Sequence, residues 1–88
     1  MRKYTFIAEY KNGTYISQYS AMNINEALSL WVNNLDNKYF STHKKQKIEK
    51  EIFVNNFWPI AIDGVENVWC QAYLSGKYFL LLNIVETV

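Results

Sequence analysis

Cys70 and His43 are the residues best suited to nucleophilic or metal chemistry, and each is the only one of its kind in the chain. One cysteine and one histidine cannot assemble a zinc site of usual composition. A Cys-His nucleophilic pair needs an accessible thiolate, whereas Cys70 sits between Trp69 and Ala72 in a strand-like run and reads as a small buried hydrophobe. Asp36, Asp63, Glu66 and Glu86 are scattered through loops and strand ends, and carboxylates without a shared pocket make no acid/base pair. Gly13, Gly64 and Gly76 each sit at a predicted turn, so none belongs to a phosphate-binding loop. The residue types therefore point away from catalysis, and no metal or cofactor is expected.

Two non-catalytic chemistries remain. Lys44, Lys45, Lys47 and Lys50 lie in the segment His43 to Lys50, and each could contact a phosphate and gain affinity by counterion release. Glu49 and Glu51 dilute that charge and can pair with Lys45 and Lys47 four residues earlier, as on an ordinary solvated helix face. Aromatic residues make up 17% of the chain, enough to furnish a protein interface. On sheets such residues also stack unpaired bases, but the signature of that use is missing here.

The elements that must carry these residues follow from periodicity. Tyr4 to Tyr10 and Thr14 to Tyr19 suit a pleated surface, and Asn12-Gly13 between them matches a type I′ turn. A two-residue loop sets Tyr10 opposite Tyr15 and Phe6 opposite Tyr19, an aromatic ladder with Tyr4 on the same side. A three-residue loop with a glycine bulge would shift that pairing. Asn12-Gly13-Thr14 also fits a glycosylation sequon, but the turn explains it without an export signal.

Asn23 caps a predicted helix, with Glu26 three residues on and Ile24, Ala27, Leu28, Trp31 and Leu35 at helical spacing. Asn33, Asn34 and Asp36 end it. A second helix begins after Ser41 or Thr42 and carries Ile48, Ile52 and Phe53 inward until Asn55-Asn56 and Pro59 stop it. Lysines near its start oppose the helix dipole and favour a late beginning.

Val68 to Leu74, the turn Ser75-Gly76 and the run from Lys77 to about Val85 form a second hairpin. The expected architecture is therefore α+β: one domain over residues 1–88, a four-stranded antiparallel sheet in ββααββ order, and two helices mainly on one face. The last strand is apolar on both sides, which places it centrally. One face of this hairpin collects Cys70, Ala72, Phe79, Leu81 and Val85; the other collects Trp69, Tyr73, Tyr78, Leu80, Leu82 and Ile84. The small residues Cys70 and Ala72 allow close helix approach, so the helices are expected on the first face. Trp69, Tyr73 and Tyr78, with Tyr4, Phe6, Tyr10, Tyr15 and Tyr19 of the first hairpin, are then the candidate protein interface. The alternative cover for the second face is the segment 55–67, with Phe57, Trp58, Ile60 and Ile62.

The hairpin and helix from Tyr4 to Trp31, including Asn23-Ile24-Asn25-Glu26-Ala27-Leu28, resemble the start of HicB-type antitoxin domains. Those domains run a β-hairpin into a helix opening on a Thr/Ser-x-x-Glu-Ala pattern, with Asn23 here in place of the hydroxyl cap. The resemblance implies a non-catalytic domain that binds and masks another protein, commonly as a dimer.

With 88 residues and a formal charge of +1, the chain fits one small core and projects no long-range field toward nucleic acid. The charged start Met1-Arg2-Lys3 leads into a stretch broken by Glu9 and Lys11, so no export signal is read. The lone cysteine agrees with a cytoplasmic setting. The expected function is a small protein-interaction module, antitoxin- or immunity-like and homodimeric through an aromatic sheet face. The alternative is a nucleic-acid binder using the lysine-rich helix. A membrane partner is not expected.

Overall fold

A computed structural model describes residues 1–87. The elements are β1 (Arg2–Tyr10), β2 (Gly13–Ala21), α1 (Ile24–Asn33), α2 (Thr42–Phe53), β3 (Ile60–Ala61), β4 (Val68–Ser75) and β5 (Tyr78–Thr87). All five strands join one antiparallel sheet in the order β2-β1-β5-β4-β3. The α+β class, the two hairpins, the two intervening helices and the central place of the last strand match the expectation. The sheet has five strands rather than four, because Ile60 and Ala61 pair with Cys70 and Trp69 along the edge of β4. Two residues following Pro59 are too short a run to show any alternation.

Both turns lie one residue from where the glycines suggested. In the first hairpin Lys11 and Asn12 form the two-residue loop, both with positive φ (48° and 66°), as a type I′ turn demands. Tyr10 therefore faces Gly13, Ala8 faces Tyr15 and Tyr4 faces Tyr19. Gly13 belongs to the strand: a Cβ there would lie 2.7 Å from the Tyr15 hydroxyl, which crosses over it. In the second hairpin Gly76 and Lys77 make the turn, and Ser75 faces Tyr78. Gly76 has φ 66° at the first central position, where a type II′ turn requires it. Each shift moves the pairing by two residues in total, so every side chain keeps its face while its cross-strand neighbour changes.

Both helices start where their caps stand. Asn23 Oδ1 accepts from the Glu26 backbone N–H at 2.9 Å, and Ser41 Oγ accepts from Lys44 N–H at 3.3 Å. α1 ends at Asn34, whose side-chain amide donates to the Leu30 carbonyl at 2.7 Å. α2 does not start late: the Ser41 cap offsets the few tenths of a kcal/mol that first-turn lysines cost.

The two helices share one face of the sheet, but not the expected one. Register between β1 and β5 sets Phe6 beside Ile84 and Ala8 beside Leu82. The aromatic side of the first hairpin therefore continues into the Tyr73, Leu80, Leu82 and Ile84 side of the second, and the helices bury this joined surface. Phe6 stacks on Trp31 with ring centres 5.6 Å apart and meets the edge of Tyr19 at 5.7 Å. Tyr10 packs on Phe40 at 4.8 Å, and Ile48 and Ile52 of α2 are fully buried. Burying large rings removes more apolar area from water than covering Cys70 and Ala72 would, and apolar area sets the size of the driving force. The chain after α2 extends this cover. Phe57 meets the Tyr73 ring at 5.7 Å, the Tyr73 hydroxyl donates to the Phe57 carbonyl at 2.9 Å, and Gln71 Nε2 donates to the Trp58 carbonyl at 2.9 Å. The early part of segment 55–67 thus covers the aromatic face, and its later part becomes β3.

Candidate interaction surface

The aromatic residues expected at an interface are divided by this packing. Tyr4, Phe6, Tyr10 and Tyr73 are buried beneath the helices, so no partner can reach them in the folded domain. Tyr19 and Trp69 are half-buried against the same core. Tyr15 and Tyr78 are exposed: Tyr15 leans on Tyr39 at 5.4 Å, and Tyr78 packs edge-on to Tyr10 at 6.5 Å with Lys11 Nζ 5.2 Å from its ring. The buried members are core for a simple reason. They share one phase of the pleat, and that phase is the one the helices cover.

The opposite phase carries the uncovered apolar side chains. Leu74 stands beside Phe79, Ala72 beside Leu81, Ile60 beside Cys70, and Ile7 beside Ile16. Phe79 is 61% exposed, Leu81 48% and Ile16 67%, and Cys70, expected to be a small buried hydrophobe, is instead exposed among them because its phase of the pleat is the one the helices leave open. Asn83, opposite both Ile7 and Cys70, and Glu9, opposite Leu81, interrupt the surface. Shallow depressions lie between Ile60, Cys70, Ala72 and Leu81 and, toward the first turn, between Glu9, Thr14, Phe79 and Leu81. Apolar surface gathered in this way across adjacent strands marks an interaction site more often than single exposed side chains do.

Phe79, Leu81, Leu74 and Ile16 were not candidates on sequence grounds, although a signal for them exists. On the same phase of the first hairpin lie Thr5, Glu9, Thr14 and Gln18. Such alternation belongs to a sheet with one face toward solvent. Carried across the β1–β5 pairing, it marks the Phe79 and Leu81 side as the outer one.

Lys44, Lys45, Lys47 and Lys50 all lie on α2, in the layer behind the sheet; at about 100° per residue Lys44, Lys47 and Lys50 share one side of the helix and Lys45 stands apart from them. They do not form a basic stripe flanking the uncovered sheet face. Among the described residues no group of three or more His, Cys, Asp or Glu side chains is placed to hold a metal ion, and no helix is long and apolar enough to cross a membrane. Tyr73 has its pKa raised, first by burial and then by the nearby Glu51 carboxylate, so its hydroxyl stays protonated as a hydrogen-bond donor. Tyr15 is shifted upward by desolvation and by Tyr39 and Asp36 beside it.

No family model matches the chain, and neither a curated protein nor a solved structure matches it.

Proposed function

We propose that this chain is a non-catalytic protein-interaction domain whose working surface is the uncovered face of the sheet. One observation carries the reading: Phe79, Leu81 and Ile16 stand exposed on a face with few charges, in a domain whose other sheet face is filled by helices. Apolar side chains ranged over neighbouring strands fit a partner protein with an apolar patch of its own. The hairpin-helix resemblance agrees, since it implies a domain that binds and masks another protein. With one cysteine and no disulfide to form within the chain, a reducing compartment such as the cytoplasm is the proposed setting.

The test is the double variant Phe79→Thr/Leu81→Thr, which keeps strand-compatible residues while removing apolar surface. As bait in a lysate of the source cells, the parent protein is expected to retain proteins that the variant loses, with both melting at similar temperatures. A variant that unfolds, or that captures the same proteins, would overturn the reading.

A further inference from the structure

We propose that two copies of this chain join through the outer edge of β2, pairing antiparallel about a two-fold axis at Ser17 to make one continuous ten-stranded sheet. The inference does not depend on what binds the uncovered face. β2 runs nine residues, Gly13–Ala21, in unbroken register with β1 on one side only. The type I′ turn closes on a hydrogen-bonded pair, Tyr10 and Gly13, and bonded pairs alternate from there. Thr14, Ile16, Gln18 and Ser20 therefore turn their backbone N–H and C=O groups outward. Natural sheets protect such an edge with lysine, proline, a bulge or a short strand. β2 has none of these: its sequence Gly-Thr-Tyr-Ile-Ser-Gln-Tyr-Ser-Ala carries no charge and no proline.

The sequence of the edge selects a second copy as the occupant. Thr14-Tyr-Ile-Ser-Gln-Tyr-Ser20 is nearly palindromic about Ser17. With the axis there, the outward residues pair as Thr14 with Ser20 and Ile16 with Gln18, each twice, and all four outward residues of each copy make both backbone bonds. Tyr15 then lies across from the second copy's Tyr19, the kind of aromatic cross-strand pair that stabilises a sheet. A cavity of about 140 Å3 opens on this helix side between Tyr15, Ser17 and Tyr19 of β2 and the loop around Asp36 and Tyr39. The second copy's tyrosines would stand at its mouth. Pairing through one edge belongs at the small end of protein interfaces, below about 1,200 Å2, so the dimer should dissociate on dilution.

The experiment is sedimentation of the full chain from about 5 µM to about 1 mM, a range that brackets weak association, with three variants. The parent is expected to pass reversibly from one to two chain masses. Ile16→Lys/Gln18→Lys sets two like-charge pairs across the axis on side chains exposed in the monomer; it is expected to melt like the parent and remain monomeric throughout. Ile16→Lys/Gln18→Glu sets opposite charges in the same places and is expected to dimerise, whereas Phe79→Thr/Leu81→Thr, on the uncovered face, should dimerise like the parent. Amide exchange in the parent gives a reading independent of any variant: protection at Ile16 and Gln18 should rise with protein concentration. A parent that stays monomeric, an Ile16→Lys/Gln18→Lys variant that associates normally, a charge-swapped variant that fails to recover, association lost in Phe79→Thr/Leu81→Thr, or amide exchange independent of concentration would overturn the proposal.

Discussion

Tyr73 shows how one side chain joins the two ends of the domain's second half. Its ring lies under the helices at 1% exposure, and its hydroxyl donates to the Phe57 carbonyl, holding the chain after α2 against β4. Removing that hydroxyl in Tyr73→Phe is expected to cost about 1 kcal/mol by leaving the carbonyl without its donor, measured as a lower denaturant midpoint at neutral pH. The pH dependence follows from the raised pKa. The folded state holds the phenolic proton more tightly than the unfolded chain, so this contribution is whole below pH about 10 and is lost as pH rises through and above that value. Tyr73→Phe should therefore lose less stability than the parent between about pH 9 and about pH 11. At this scale the sequence identified the aromatic residues as the ones that matter. It could not say that Tyr73 would be core while Tyr78, five residues on and on the same face, would lie half open at the end of the sheet, because that depends on where the helices stop.

Among the elements, α1 was the most legible, because its start is written in local chemistry. Asn23 and Glu26 are three residues apart, and the cap bond forms between them as expected. Asn23→Ala is expected to lower stability by about 1 kcal/mol, read as a drop in melting temperature with the fold retained. The hairpins were legible in kind and in facing but not in register. A glycine in a turn-like dipeptide signals left-handed backbone, yet Gly13 sits in the strand with the Tyr15 ring lying over it, and Lys11 and Asn12 take the positive φ values instead. Which two residues make the turn is set by the register of the two strands, and that leaves no mark in the turn residues. β3 was invisible for a different reason: its two residues are held by pairing to β4 and not by any pattern of their own.

For the whole molecule the deciding event is which side of the sheet the helices cover. Local reasoning favoured the side where small residues permit close approach, whereas the joined aromatic face of both hairpins offers far more area to bury. The alternation of the first hairpin, with Thr5, Glu9, Thr14 and Gln18 on the outer phase, carried the answer across the β1–β5 pairing. Adjacent leucines on β5 test the outcome. Leu82 is buried and Leu81 is half exposed, so Leu82→Ala is expected to cost about 2–5 kcal/mol, a large share of the stability of a domain this size. Leu81→Ala should cost less than about 1 kcal/mol, both read from denaturant titrations. Whether the Leu81 side is free to receive a partner is reported by Cys70, which stands on that face. The native protein is mixed at high dilution with an aromatic disulfide reagent and the rate of thiol reaction is followed. One thiol is expected to react at a rate close to that of the denatured chain; a thiol that stays protected until the protein is unfolded would mean that this face of the sheet is covered and not free for a partner.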